Sequence, residues 1–573
     1  MRQSFTGHGA SRGNALGRAR MRMPHALEVA EERIAPAAVD AELRRLHTAI
    51  DAVRVEIRNM RDRLHGALAH EVGEFLDLHT LLLDDPELLQ GLDDLVAKGL
   101  YGADYALRLQ RDRLAAVFEA MDDAYFRSRV EDIDHVIGRV HAMLHKRAAD
   151  LQGVAGEILV TDAVAPAELG QLQSQGVLAV VTAGGSALSH SAILARSLHL
   201  PLVVGTPQAL QQINDGDVLL VDGSSGIVIV EPKASDLRGY RTRLRDEKRE
   251  RKQLHRLRRE PSRTLDGVDV RLWANAESRE DVTGAHALGA AGVGLYRTEF
   301  LFLRRNELPD EHEQFRAYRD AVLAMTGRTV TIRTMDIGAD KADRTGLALT
   351  DEPNPALGLR GVRLSLARPP VFETQLRAIL RASGYGPLRI LVPMVSGREE
   401  MLAVAGTIRR VSRDLRDEGH EIAERVPLGA MIEVPAAAIA LSSFIDAVDF
   451  ISIGTNDLTQ YLLAADRGND ALGELYSPLH PAMLKLLHGV IRTARARGKP
   501  VAVCGEMAGD PQLAPLLLAL GLEEFSLHPS TLLEVRRAIR AQDLGALRAA
   551  APALLRCRDR DAIERWLGKM AAG

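Results

Sequence analysis

The chain has 573 residues, of which 46% are hydrophobic and 26% charged, and its 73 Lys and Arg nearly balance 77 Asp and Glu, for a formal net charge of −4. That balance argues against chain-wide binding to nucleic acid or a membrane surface, and the length suits about three or four domains, or two with one large barrel. Two cysteines, Cys504 and Cys557, cannot build a disulfide framework, and they fit a reduced, cytoplasmic setting.

The N-terminus, MRQSFTGHGASRGNALGRARM, is basic but lacks the apolar core of a secretory signal. The longest uncharged apolar stretches, such as 513–522, reach about half a bilayer span, so no transmembrane helix or direct membrane insertion is expected. Residues 1–28 carry glycines and short apolar alternations. Residues 29–149 change to helical periodicity, with Leu43, Leu46, Ile50, Val53 and Ile57 on one stripe and a second stripe over 107–121. This block reads as a helical bundle. From 150 to 232 the pattern turns to short β-rich runs at 157–162, 177–184, 201–206, 217–223 and 227–232, with one helix at 190–198. This reads as a small α/β domain whose first strand comes from 1–28, with the bundle inserted between. Residues 233–263 are rich in Arg and Lys and poor in apolar residues. A solvated helical connector is the favoured reading over a nucleic-acid stripe, since no aromatic residues interleave the charges.

Residues 264–573 alternate strands with helices. Strands are expected at 270–276, 292–297, 329–336, 360–365, 389–395, 429–435, 448–454 and 500–506, with 360–365 the least regular. Eight strands over this length predict a (β/α)8 barrel, and an open doubly wound sheet is the competitor. The fold class is therefore multidomain α/β: a small α/β domain with a helical insert, then a TIM-like barrel.

Barrel active sites lie at the C-terminal ends of the strands. Those ends hold Arg297-Thr298-Glu299, Arg333 and Asp336, Arg360 and Arg363, Glu433, Asn456 and Asp457, and Cys504 with Glu506; Arg467 follows in a turn. Taken singly, each arginine is more often a structural ion pair. As a set, arginines facing carboxylates suit a small multiply charged anion held with a hard divalent metal. Cys504 alone suggests buried packing, but at a strand end it can donate a proton. His190 falls in the first turn of the helix after GGSALSH, with Ser189 as its cap. The helix dipole there disfavours imidazolium, keeps the ring nucleophilic, and favours a phosphoryl anion. The other histidines are read as having no metal spacing, and no H-E-x-x-H, C-x-x-C, P-loop or G-x-S-x-G pattern occurs.

The runs GLYRTEFLFL (294–303), TIRTMDIGADK (331–341), NPALGLRGVR (354–363), MIEVPAAA (431–438), FISIGTNDLTQYLLAADRGN (450–469), PLHPAML (478–484) and CGEMAGDP (504–511) strongly resemble the Enzyme I family of the bacterial sugar phosphotransferase system, the phosphoenolpyruvate–protein phosphotransferases. GHGASRGNALGRA (7–19), EFLDLHTLLLDDPEL (74–88) and SHSAILARSLHLPLVVGT (189–206) extend the resemblance over essentially the whole chain.

The resemblance implies a two-step phosphoryl transfer. Phosphoenolpyruvate binds the barrel with Mg²⁺, His190 is phosphorylated through Nε2, and the group passes to the phosphocarrier protein HPr. It implies Glu433 and Asp457 as metal ligands. Arg297, Arg333, Arg360, Asn456 and Arg467 become substrate contacts, and Cys504 the acid that protonates the enolate to pyruvate. It makes 1–28 and 150–232 the phosphohistidine domain, 29–149 the HPr-binding insert, 233–263 the linker, and 264–573 the phosphoenolpyruvate-binding, homodimerising barrel. An acidic rim with an apolar centre, Glu71, Phe75, His79, Leu82, Asp85 and Glu87, is the expected HPr contact.

One departure stands out: Leu188 occupies the position where the family has a threonine able to bond the histidine. Pyruvate phosphate dikinases and phosphoenolpyruvate synthases share the histidine domain and barrel, but need a nucleotide-binding domain for which this chain has no region. The alternative from another class is a phosphoenolpyruvate-sensing scaffold that does not transfer phosphate. It predicts loss of His190, Glu433, Asp457 or Cys504, and all four are present.

Overall fold

Period-two patterning and glycine placement shape the first unit, Met1–Lys248, of the computed structural model. The structure describes residues 2–22, 31–63, 76, 79–119, 124–145, 154–164, 166–185, 190–198, 200–302, 307–338, 347, 352–466, 472 and 475–572. The N-terminal segment gives three strands where one was expected: β1 (Gln3–Thr6), β2 (His8–Ser11) and β3 (Asn14–Met21). Gly13, at φ +132°, turns the chain between β2 and β3, and a side chain is strained there. Later segments add β4 (Glu157–Thr161), β5 (Ala179–Thr182), β6 (Leu202–Val204), β7 (Val218–Asp222) and β8 (Ile227–Val230). The eight strands form one sheet in the order β1-β8-β7-β3-β4-β5-β6-β2. Its centre, β3 to β6, is parallel, and its flanks are antiparallel.

Helices Val39–Arg63, Pro86–Ala97, Ala103–Glu119 and Ala124–Leu144 lie in sequence between β3 and β4. The first buries Leu46, Ile50, Val53 and Ile57, the stripe read from the sequence. Successive strand residues point to opposite faces. Leu159, Val180 and Leu202 therefore join the helices in one core, while Ile158, Val160, Val181 and Val203 pack in another with Ala209 and Ile213. The helix Ala234–Arg256 follows β8; its largely exposed, charged surface matches its lack of an apolar stripe.

The second unit, Arg249–Gly573, is a closed barrel of parallel strands. They are β9 (Arg271–Ala276), β10 (Val293–Tyr296), β11 (Val330–Arg333), β12 (Leu388–Val392), β13 (Leu428–Ile432), β14 (Phe450–Ile453), β15 (Val501–Val503) and β16 (Glu524–Leu527). The strand expected at 360–365 is not one. Val362–Ala367 is a helix, entered through Gly361 at φ +60°, and it buries Val362 and Leu364. Alternating Val362, Leu364 and Leu366 mimics a strand, and a run this short does not separate the two periods. The barrel closes instead through β16, which pairs with both β15 and β9. One inner layer of the barrel comprises Leu295, Leu391, Met431, Phe450 and Cys504. At the start of β12, Arg389 sits 4.6 Å from the ring centroid of Trp273 and 4.3 Å from that of Phe450.

Phe525 of β16 is fully buried. Phe525→Ala should lower barrel stability by about 3–5 kcal/mol, seen as an earlier denaturant midpoint for the second unit. An unchanged midpoint would remove β16 from the barrel core.

Candidate active site

Eight parallel strands direct their C-terminal ends to one rim, and the chemistry-bearing residues gather there. Glu433 follows β13 and is 1% exposed. Its Oε1 accepts the backbone N–H of Met394 at 2.6 Å. Met394 holds φ at +58°, a left-handed conformation rare for a residue with a side chain. Strain of this kind persists where surrounding structure enforces it, and here it aims a backbone donor at the carboxylate. Gly454, after β14, passes so close that a Cβ there would lie 2.7 Å from Glu433 Oε2. A side chain at 454 would therefore fill the space in front of that oxygen.

Arg333, at the end of β11, is buried between Glu299 and Asp336: Nη2 lies 3.0 Å from Glu299 Oε1, and Nη1 3.0 Å from Asp336 Oδ2. Glu299 also accepts the Asp336 backbone N–H at 2.9 Å. Arg360 reaches the same group from the connection between β11 and β12, not from a strand. It donates to both oxygens of Asp336, at 2.9 and 3.1 Å, to Asp457 Oδ2 at 3.1 Å, and to the Tyr461 hydroxyl at 3.2 Å. Asp457 lies in the first turn of the helix Thr455–Leu463. Four carboxylates, of Glu299, Asp336, Glu433 and Asp457, thus face two guanidiniums.

The electrostatics follow from that imbalance. Burial, then the negative charges of Asp336 and Asp457, push the Glu433 carboxyl up to about 8, against the opposing pull of Arg333 and Arg360. Both guanidiniums are held more firmly protonated, as their carboxylate partners outweigh desolvation. Burial drives the Cys504 thiol up to about 11, with Glu433 adding to the rise. Cys504 follows β15 and is 4% exposed, with Sγ 3.4 Å from the Ile453 carbonyl oxygen. The thiol is thus a protonated group at neutral pH.

Arg297, after β10, is more exposed and donates to Glu277 Oε1 at 2.7 Å. Burial raises the Glu277 carboxyl. Asn456 exchanges hydrogen bonds with Glu506: its Nδ2 donates to Oε1 at 3.0 Å, and its Oδ1 accepts the Glu506 backbone N–H at 3.0 Å. Arg363 turns to the Leu357 carbonyl and the Ser396 hydroxyl, and does not join the carboxylates. Arg467 lies outside the described residues. Sequence reading missed Glu277, Met394 and Tyr461. Glu277 directly follows β9, and Tyr461 stands one helical turn beyond Asp457, so both carried a positional signal. Met394 carried none, because only its backbone acts.

In the first unit His190 is the first residue of the helix His190–Ser197, which follows the C-terminal end of β5. Ser191 donates to the Val164 carbonyl at 2.7 Å and Arg196 to that of Ala10 at 3.1 Å, fixing the helix on the sheet. Its start lies beyond the carboxyl end of a parallel strand, where open α/β sheets bind ligands.

Of the expected partner-contact residues, Glu71 and Phe75 lie outside the described residues. Glu87 is exposed and Leu82 half-buried. The Asp85 side chain caps helix Pro86–Ala97, accepting the Glu87 backbone N–H at 2.7 Å. His79 corrects the expectation: it is fully buried, so it presents no surface to a partner. Its position is helical and its imidazole turns into the bundle with Leu76 and Leu83, which the run of acidic neighbours concealed.

Known protein families match most of the chain. Residues 251–544 match "PEP-utilising enzyme, PEP-binding domain", residues 6–129 "PEP-utilising enzyme, N-terminal", and residues 153–226 "PEP-utilising enzyme, mobile domain". The chain belongs to the PEP-utilising enzyme family. It is 45% identical over 550 residues to the phosphoenolpyruvate-protein phosphotransferase of Cupriavidus necator, covering 93% of this chain and 94% of the relative. It is 40% identical over 505 residues to that of Staphylococcus aureus strain Mu50, covering 87% and 88%. With the Staphylococcus carnosus protein of the same name it shares 37% over 559 residues, 97% of each chain. Within this PEP-utilising enzyme, the rim of carboxylates and arginines falls inside the segment matched as the PEP-binding domain. His190 falls inside the mobile domain.

The raised Cys504 thiol has a measurable signature. Alkylation of Cys504 by iodoacetamide should rise about tenfold per pH unit from about pH 7 to 9, because only the thiolate reacts. A plateau below pH 9 would show an ordinary or acidic thiol instead.

Proposed function

We propose that this PEP-utilising enzyme moves the phosphoryl group of phosphoenolpyruvate to its own His190 and then to the phosphocarrier protein HPr, releasing pyruvate. The observation that carries the reading is the buried carboxylate surplus around Glu433, set beside two fixed guanidiniums in the segment matched as PEP-binding. A surplus of negative charge at a site for a trianionic substrate makes sense only with a cation between them.

The residues fit a hard divalent cation, which we assign as Mg²⁺. Glu433 and Asp457 offer carboxylate oxygens, and Gly454 leaves the face of Glu433 clear. When bound, Mg²⁺ neutralises charge on substrate oxygens and completes the pocket's charge balance. The chain's own residues do the rest. Arg297, Arg333, Arg360 and Arg467 hold phosphate and carboxylate oxygens, and Asn456 donates to the phosphate. Arg360, already bonded to Asp336, Asp457 and Tyr461, is fixed before substrate arrives, so little reorganisation is needed as charge shifts.

The lone pair of His190 Nε2 attacks phosphorus. The bond between phosphorus and the enol oxygen breaks, and its electrons remain on the enolate. Cys504 delivers the thiol proton to the enolate carbon to give pyruvate, and solvent reprotonates the thiolate. Phosphoryl transfer depends on alignment and charge neutralisation more than on covalent help. In the second step the phosphoryl group passes from His190 to a histidine of HPr. Residues 1–28 and 150–232 serve as the phosphohistidine domain, 29–149 as the HPr-docking insert, 233–263 as the linker, and 264–573 as the substrate and dimer domain. Glu71, Phe75, Leu82, Asp85 and Glu87 remain the proposed HPr contact. We place the enzyme in the cytoplasm; among the described residues no helix is long and apolar enough to cross a membrane.

Incubation with ³²P-labelled phosphoenolpyruvate and Mg²⁺ should give acid-labile label on the wild type and none on His190→Ala. Equal label on both would sink the assignment, and no label on either would favour the sensing scaffold. Arg360→Met should slow label uptake roughly 10²–10³-fold, the usual loss for one preorganised charge-stabilising donor. Sedimentation at micromolar concentration should show a dimer; a monomer would remove the barrel interface from the proposal.

A further inference from the structure

The helical part of the first unit holds a cluster that phosphoryl transfer does not use. His141 and His145 stand four residues apart, His141 in the last turn of the helix Ala124–Leu144 and His145 just after it. That spacing puts two imidazoles on one helix face, and their ring centroids are 4.7 Å apart. Facing them is Asp104, the second residue of the helix Ala103–Glu119. His145 Nε2 lies 2.8 Å from Asp104 Oδ1, and His141 Nε2 lies 3.4 Å from the same oxygen. One donor atom of each residue lies within 4.8 Å of the other two. The other Asp104 oxygen is occupied: Arg45 Nη2 lies 3.3 Å from Oδ2, while Arg45 Nη1 donates to Glu42 at 2.9 Å. The expectation that these histidines lack metal spacing does not hold. The pair at 141 and 145 has it, and its third donor comes from a different helix.

We propose that Asp104, His141 and His145 form a zinc site that joins the start of helix Ala103–Glu119 to the end of helix Ala124–Leu144. Two imidazoles and one carboxylate are a zinc donor set, unlike the all-oxygen set at the barrel rim. Donors bound to zinc at about 2.0–2.2 Å in a tetrahedron stand roughly 3.4 Å apart. The His141–Asp104 separation already has that value. The shorter His145–Asp104 contact has only to open slightly, and His145 is exposed just past the helix end. Arg45 and Glu42 orient the carboxylate from behind, leaving Oδ1 for the ion and water for the fourth position. The alternative occupant of the same geometry is a proton, in a simple hydrogen bond between His145 and Asp104.

The test uses the full chain, stripped with chelator and titrated with ZnCl₂ by calorimetry. To silence the barrel rim, the parent form carries Glu433→Gln and Asp457→Asn. It should bind one zinc per chain and melt at a higher temperature with zinc present. Adding His141→Ala or His145→Ala should weaken that binding at least about tenfold, as ligand loss costs no less than loss of a supporting contact. Circular dichroism checks that each variant keeps its helices. If His141→Ala does not fold, His145→Ala, at the exposed position, decides. Failure of the parent to take up zinc, or equal affinity with and without His145, overturns the site.

Discussion

The active end of the barrel depends on one electrostatic constraint: more carboxylates are buried around Glu433 than the guanidiniums of Arg333 and Arg360 balance. A buried carboxylate without a matching cation is costly, and it either takes up a proton or recruits a metal. Glu433 shows that tension by its raised protonation point. The surrounding structure does not relieve it by moving the group into water. It fixes Glu433 with a backbone donor from a strained Met394 and clears the space before it with Gly454. Buried carboxylates crowded in this way cluster at functional sites.

The same constraint assigns different work to neighbours of similar chemistry. Arg333 and Arg360 are held in place by carboxylates on several sides. Arg297, paired with Glu277 and more exposed, is held less tightly. Cys504 sits in the apolar layer of Leu295, Leu391, Met431 and Phe450, whose low polarity keeps its proton in place. A thiol in a watery, cationic setting would lose that proton far more readily.

Much of this was legible in the sequence, for definite reasons. Seven barrel strands announce themselves as apolar runs between turns, and the strand-end rule then finds Glu433, Asp457, Arg333 and Cys504 without coordinates. The failures are equally physical. Val362, Leu364 and Leu366 alternate like a strand but lie on a helix, because Gly361 redirects the backbone. Strand β16 has only four residues and follows a leucine-rich run, so its own signal is drowned. Met394 acts through its N–H, which no side-chain pattern reveals. His79 belongs to the bundle core although acidic residues surround it in sequence. Asp104 meets His141 and His145 only through helix packing, a long-range contact that local spacing cannot supply.

We have proposed that Glu433 and Asp457 hold a divalent cation against phosphoenolpyruvate. Anomalous diffraction from a crystal grown with Mn²⁺ and phosphoenolpyruvate tests it most directly. The account predicts a metal peak about 2.1 Å from a carboxylate oxygen of each residue, with substrate phosphate beside it and Arg360 in contact. A metal peak and substrate bound away from both carboxylates would contradict it.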